Sequence, residues 1–179
     1  MHITVPKPIE RLARDHINAR RALNTLEQQV EIVAQYQDPD PEIIAGVIAF
    51  FGDNAGHHSV EEMIFSTLRK RAPQKIDELE DVADEHDEGK SKLDAFAEAA
   101  RLAHRDINAS RLDFCRAARS FIAFERGHIH KEEMRFFRYA IEFLTPHDWM
   151  KIEWGLSDAD NNTSEEAGPA RMVLRAAKI

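Results

Sequence analysis

Cysteine is nearly absent: Cys115 is the only one in 179 residues. No internal disulfide can form, and a metal cluster held by several thiolates is excluded. Glycine and proline are scarce as well, seven of each, so long stretches run without a residue that stops a helix. No apolar run approaches the ~20 residues that span a bilayer. Basic tracts are missing, and the net charge is −8. A chain of that sign lacks an electrostatic footprint for nucleic acid and is disfavoured at an acidic membrane surface, so neither is expected as a partner. The segment Met1-His2-Ile3-Thr4-Val5-Pro6-Lys7 lacks the basic-then-apolar layout of a secretory signal, and a cytoplasmic location is the expectation. Tandem repeats of short period and low-complexity tracts are lacking too.

What is present is helical periodicity. Apolar residues make up 43% and charged residues 31% of the chain, the balance of a soluble globular protein of one domain. A first helix is expected over residues 8–37, with Ile9, Leu12, Ala13, Ile17, Leu23, Leu26, Val30 and Val33 recurring at steps of three and four. Asp38-Pro39-Asp40-Pro41 stops it. A second spans 42–71 with Val47, Phe50, Phe51, Ile64, Phe65 and Leu68 on one side, and Pro73 separates it from a third over 75–103. The capping-type residues in Asp106-Ile107-Asn108-Ala109-Ser110 mark the next turn, and a fourth helix reaches Leu144. Thr145-Pro146-His147-Asp148 reads as an N-cap, a proline at the first helical position and an acidic first turn, opening a short helix to about Trp154. Residues 158–168 are polar and read as loop, and 171–177 could form a last docking turn. The simplest assembly is all-α, an antiparallel up-down-up-down four-helix bundle with a short C-terminal helix. Residues 1–155 form the bundle, and 156–179 a tail packing on it or extending from it.

Histidine is in excess, with nine residues, and each long helix places one inside its own apolar seam. The first seam reads Ile9, Leu12, His16, Ala19, Leu23, Leu26, Val30; the third reads Ile76, Leu79, Val82, His86, Gly89, Leu93, Phe96. A polar ring in a dry seam costs on the order of 1–3 kcal/mol unless something satisfies it. One such histidine is commonly a satisfied core imidazole; one on each of four helices points to a shared ligand. The second and fourth helices add carboxylates at i, i+4 spacing, which stacks two donors on one face: His57 with Glu61, and His128 with Glu132. Register favours Glu132 over Glu133, about 100° further round the helix. It also favours His57 and Glu61, although His58 and Glu62 share their spacing and fit Phe51 and Phe65. His2, His104, His130 and His147 fall off the seams and read as solvated, and Glu62 and Glu133 as solvated or as carboxylates that orient a ligand imidazole. Nitrogen and oxygen donors without thiolate suit iron, manganese or zinc, and six converging donors exceed what one tetrahedral zinc needs. Two divalent cations facing two carboxylates would welcome a bridging oxide or hydroxide.

The pieces Asp15-His16, His57-His58-Ser59-Val60-Glu61-Glu62 with Phe65 and Leu68, Glu85-His86, and His128-Ile129-His130-Lys131-Glu132-Glu133 with Phe136 resemble the hemerythrin-like (HHE cation-binding) family in order and in helix placement, from about Pro8 to Trp149. The resemblance implies an antiparallel four-helix bundle with a carboxylate-bridged non-haem di-iron site. By position its ligands would be His16, His57, Glu61, His86, His128 and Glu132. One feature departs from the pattern: oxygen-carrying hemerythrins have a second histidine four residues after the first ligand of the third helix, and here that residue is Lys90. Four histidines with two glutamates look more like the members linked to iron sensing, or to nitric-oxide response and iron–sulfur cluster repair.

The expected function is therefore a di-iron protein that handles dioxygen, nitric oxide or peroxide, or senses iron or redox state. One rival is a di-iron oxidase or peroxidase, for which Lys90 and Tyr139 are the candidate acid–base groups. The other is a metal-stabilised interaction or regulatory module.

Overall fold

A computed structural model describes residues 5–53 and 55–162. Every regular element among them is helical: α1 (Lys7–Ala34), α2 (Pro41–Gly52), α3 (Ala55–Arg71), α4 (Glu80–Arg105), α5 (Ile107–Lys131), α6 (Phe137–Phe143) and α7 (Pro146–Asn162). A 3-10 turn covers Pro73–Lys75 and a π-helical turn Glu132–Phe136. None of these helices is long and apolar enough to cross a membrane.

The punctuation acts as its chemistry dictates. Asp40 caps α2 by accepting from the backbone N–H of Glu42 at 2.8 Å and Ile43 at 3.3 Å, with Pro41 in the first turn. Asp106 does the same for α5, accepting from Asn108 at 3.0 Å and Ala109 at 3.1 Å, which places the expected turn there. Thr145 and Asp148 form a reciprocal capping box on α7: Asp148 N–H donates to Thr145 Oγ1 at 3.3 Å, and Thr145 N–H donates back to Asp148 at 3.0 Å.

Four boundaries differ from the sequence reading. The helix expected over 8–37 ends at Ala34, and Tyr36 has a φ of 64°, a left-handed conformation that terminates it. The helix expected over 42–71 is two, because Gly52-Asp53 breaks it: Asp53 leaves helical geometry at φ −102°, ψ 56° while its N–H still bonds Ala49. The helix expected from 75 starts at Glu80, after the turn that Pro73 opens. The final helix passes Trp154 and reaches Asn162, so residues 158–162 are helix rather than loop. The expected docking turn at 171–177, and His2, lie outside the described residues.

The chain divides into two compact units, one drawn from residues up to 17, 54–83 and from 129, the other from 18–53 and 84–128. In the first unit Leu12, Val60, Ile64, Leu68, Leu79, Val82, Phe136, Ala140 and Ile152 form one buried cluster. In the second, Phe96 stacks on Phe121 at 5.8 Å, and Phe51 meets Phe121 edge-on at 5.0 Å. Along α1 the expected seam is buried throughout, from Ile9 and Leu12 through His16, Ala19, Leu23 and Leu26 to Val30, while Ile17 faces out at 48% exposure.

Candidate metal centre

The first unit gathers four of the six expected ligands: His16 from α1, His57 and Glu61 from α3, and Glu132 from the π-helical turn. His16 is 2% exposed and Glu132 1%, so the pair lies in the dry interior. His16 Nε2 approaches Glu132 Oε2 at 2.8 Å, yet this nitrogen has no hydrogen-bond partner among the described residues. The two atoms are close without being aligned as donor and acceptor, the relation of two donors facing a common third atom. Left so in an apolar core, the nitrogen costs about 1–3 kcal/mol. On α3, His57 Nε2 lies 3.0 Å from Glu61 Oε1, one turn on. One donor atom each from His16, His57 and Glu132 lies within 4.8 Å of the others. Nitrogen and carboxylate oxygen at that separation fit a hard or borderline divalent cation such as iron.

The opposite edges of the rings are also held. His16 Nδ1 is 3.1 Å from Glu133, the neighbour of Glu132, and His57 Nδ1 is 3.4 Å from Asp15, the neighbour of His16. A carboxylate at Nδ1 puts the proton there and leaves Nε2 to face a metal. Phe137 stacks on His16 with centroids 5.1 Å apart and planes at 9°, fixing the ring tilt. Burial draws the His57 imidazolium toward losing its proton. Hydrogen bonds to Asp15 and Glu61, with the charges of Glu61 and Glu132, outweigh burial and raise its pKa to about 10. The first unit thus surrounds His57 with negative charge and favours a cation there.

The π-helical turn shapes this arrangement. A residue more than α-helical geometry allows lies between Glu132 and Phe137, so Glu132, Phe136 and Phe137 all turn inward. The ambiguous doublets then separate. Glu132 is buried and Glu133 half-buried; Glu61 is buried and Glu62 exposed; His57 is 18% exposed and His58 45%. His58 still reaches the other oxygen of Glu61, Nδ1 to Oε2 at 3.2 Å.

The other two expected ligands lie in the second unit. His86 on α4 and His128 on α5 meet with ring centroids 5.2 Å apart at 76°. Glu85 lies 3.0 Å from His128 Nδ1, and Phe124 stacks on His128 at 6.2 Å. Lys90 is exposed while Gly89 takes the buried seam position, so the lysine does not stand in for a ligand. Tyr139 donates its hydroxyl to Glu78. His104, His130 and His147 are exposed.

Sequence reasoning left Asp15 and Glu85 without a role. Their signal was present: each is an acid directly preceding a seam histidine. Each serves the i, i+4 His–Glu pair of a neighbouring helix instead of the histidine beside it.

A family model described as Hemerythrin HHE cation binding domain matches residues 7–140 of the chain. Comparison with curated proteins and with solved structures gives no match.

Proposed function

We propose that this chain, which belongs to the hemerythrin HHE cation-binding family, holds two iron ions through His16, His57, Glu61, His86, His128 and Glu132 and exposes them to a small ligand. The observation that carries the reading is the convergence of His16, His57 and Glu132 donors within 4.8 Å in a buried setting. Glu61 and Glu132 would bridge the two cations, with a bridging oxide or hydroxide, and the histidines would be terminal ligands. The antiparallel four-helix arrangement belongs to the same reading, supported by the family and the all-helical chain.

Bound iron would supply an open coordination position able to take dioxygen, nitric oxide or peroxide, or a redox state to be sensed. The chain's own contribution is positional. Asp15 and Glu133 hold the proton of each imidazole on Nδ1, Phe137 fixes the tilt of His16, and burial keeps bulk water from the His16–Glu132 pair. The oxidase or peroxidase reading gains no acid–base group from Lys90, which is exposed. Membership in a cation-binding family favours metal handling over a purely structural module.

Metal analysis of protein produced with iron tests this. About two irons per chain are expected. Glu132→Ala should lose both, whereas Glu133→Ala should keep them at affinity about 10–100-fold weaker, the usual effect of removing an acid behind a ligand histidine. A single zinc per chain that iron loading does not replace would overturn the reading.

A further inference from the structure

Three of the four proposed ligand histidines have a carboxylate against Nδ1, and each acid comes from outside the histidine's own helix. Glu133, in the π-helical turn, serves His16 on α1; Asp15 on α1 serves His57 on α3; Glu85 on α4 serves His128 on α5. His86 on α4 is the fourth ligand, and the second unit points to its acid.

Gly89 stands three residues after His86, on the same face of α4, and is buried. A Cβ added there would meet Phe124 Cε1 at 3.0 Å and Glu125 Oε1 at 3.3 Å. The missing side chain lets a carboxylate of α5 come down onto the backbone of α4 one turn from His86. Glu125 precedes His128 by three residues, so the acid, His128 and Phe124 crowd toward the same stretch of α4. Glycine inside a helix costs about 0.5–1 kcal/mol relative to alanine. A glutamate that merely faced solvent would need no such notch.

We propose that Glu125 is the positioning carboxylate of His86, holding its Nδ1 proton and aiming Nε2 at the metal. This rests on the iron-binding reading and extends it with a residue outside the six expected ligands. The exchange between α4 and α5 is then reciprocal: α4 lends Glu85 to His128 and α5 lends Glu125 to His86.

The test uses the full chain as wild type, Glu125→Ala, Glu125→Gln and Gly89→Ala. In the metal-free chains, side-chain nitrogen spectra of His86 should show the proton on Nδ1 in the wild type and a changed tautomer in Glu125→Ala. Anaerobic titration with ferrous ion against a competing chelator should show one of two irons bound about 10–100-fold more weakly in Glu125→Ala. Glu125→Gln should recover part of that loss, since its amide keeps the shape but accepts a weaker bond. Gly89→Ala should weaken the same iron without removing a carboxylate, because its Cβ displaces Phe124 and Glu125, while thermal melting of the metal-free chain stays close to wild type. An unchanged His86 tautomer in Glu125→Ala overturns the proposal whatever the metal does. A wild type that takes up no iron defeats the parent reading instead, and the tautomer comparison still decides the role of Glu125.

Discussion

Single residues here are explained by pairs. An imidazole in a dry interior has two nitrogens to satisfy, and His16 has Glu133 against Nδ1, while its Nε2 lies 2.8 Å from Glu132 without a hydrogen bond. His57 has Asp15 3.4 Å from Nδ1 and Glu61 3.0 Å from Nε2. The price of so much carboxylate around one ring appears in His57, whose pKa is raised to about 10 against an ordinary value near ~6.5. A group whose folded pKa exceeds its unfolded one contributes stability that is fully present below the unfolded value and is lost as pH rises through the folded one. The metal-free chain should therefore lose stability between about pH 6.5 and 10, by up to about 1.4 kcal/mol per pH unit. Thermal melts in the presence of a chelator measure this, and His57→Gln should flatten the slope. Stability that stayed level or rose over that window would contradict the placement of His57 among the acids.

At the scale of the element, two interruptions matter more than the regular turns. Gly52-Asp53 ends α2 so that α3 restarts just before His57. The π-helical turn inserts a residue between Glu132 and Phe137, letting a ligand candidate and the aromatic ring that tilts His16 face inward together. Caps set where the remaining helices begin. Asp148 caps α7, accepts from Thr145 Oγ1 at 2.6 Å, and takes a two-pronged bond from Arg71 of α3 at 2.8 and 2.9 Å. The Arg71 guanidinium holds its carboxyl well below the usual carboxylate range, with Thr145 adding two donors. Such a lowered group contributes stability above its unfolded pKa that is lost as pH falls through the carboxylate range. Asp148→Ala should cost about 2–4 kcal/mol in chemical denaturation, from the lost cap and charged bonds together. A change below about 0.5 kcal/mol would mean that α7 is held by Trp149, Ile152 and Leu156 alone.

For the whole molecule, the proposed metal would be linked to the fold by mass action. Buried His16, Glu61 and Glu132 are held in a dry core, and a cation that binds only the folded chain adds its binding energy to stability. At free iron about 100-fold above the dissociation constant this is about 2.7 kcal/mol. For a chain of this size that raises the melting temperature by roughly 5–10 °C. Calorimetry with and without a strong chelator reads the difference, and equal melting temperatures would separate metal from fold.

The sequence by itself determined that the chain is helical and which side chains are the candidate donors. Apolar steps of three and four placed His16, His57, His86, His128, Glu61 and Glu132 in their seams, because helical periodicity is a local property that one turn of chain expresses. Asp40, Asp106 and Thr145 announced their caps for the same reason, since a cap bonds backbone within three residues. What only the tertiary structure decided was pairing across helices. That Asp15 serves His57, Glu85 serves His128 and Glu133 serves His16 follows from which helix faces which, and acids directly before a histidine do not announce a partner forty or more residues away. The tertiary structure alone also exposed Lys90 and buried Gly89. One residue of spacing turns a helix by about 100°, and only the packed neighbour, with Phe124 and Glu125 against Gly89, shows which of two adjacent positions faces it.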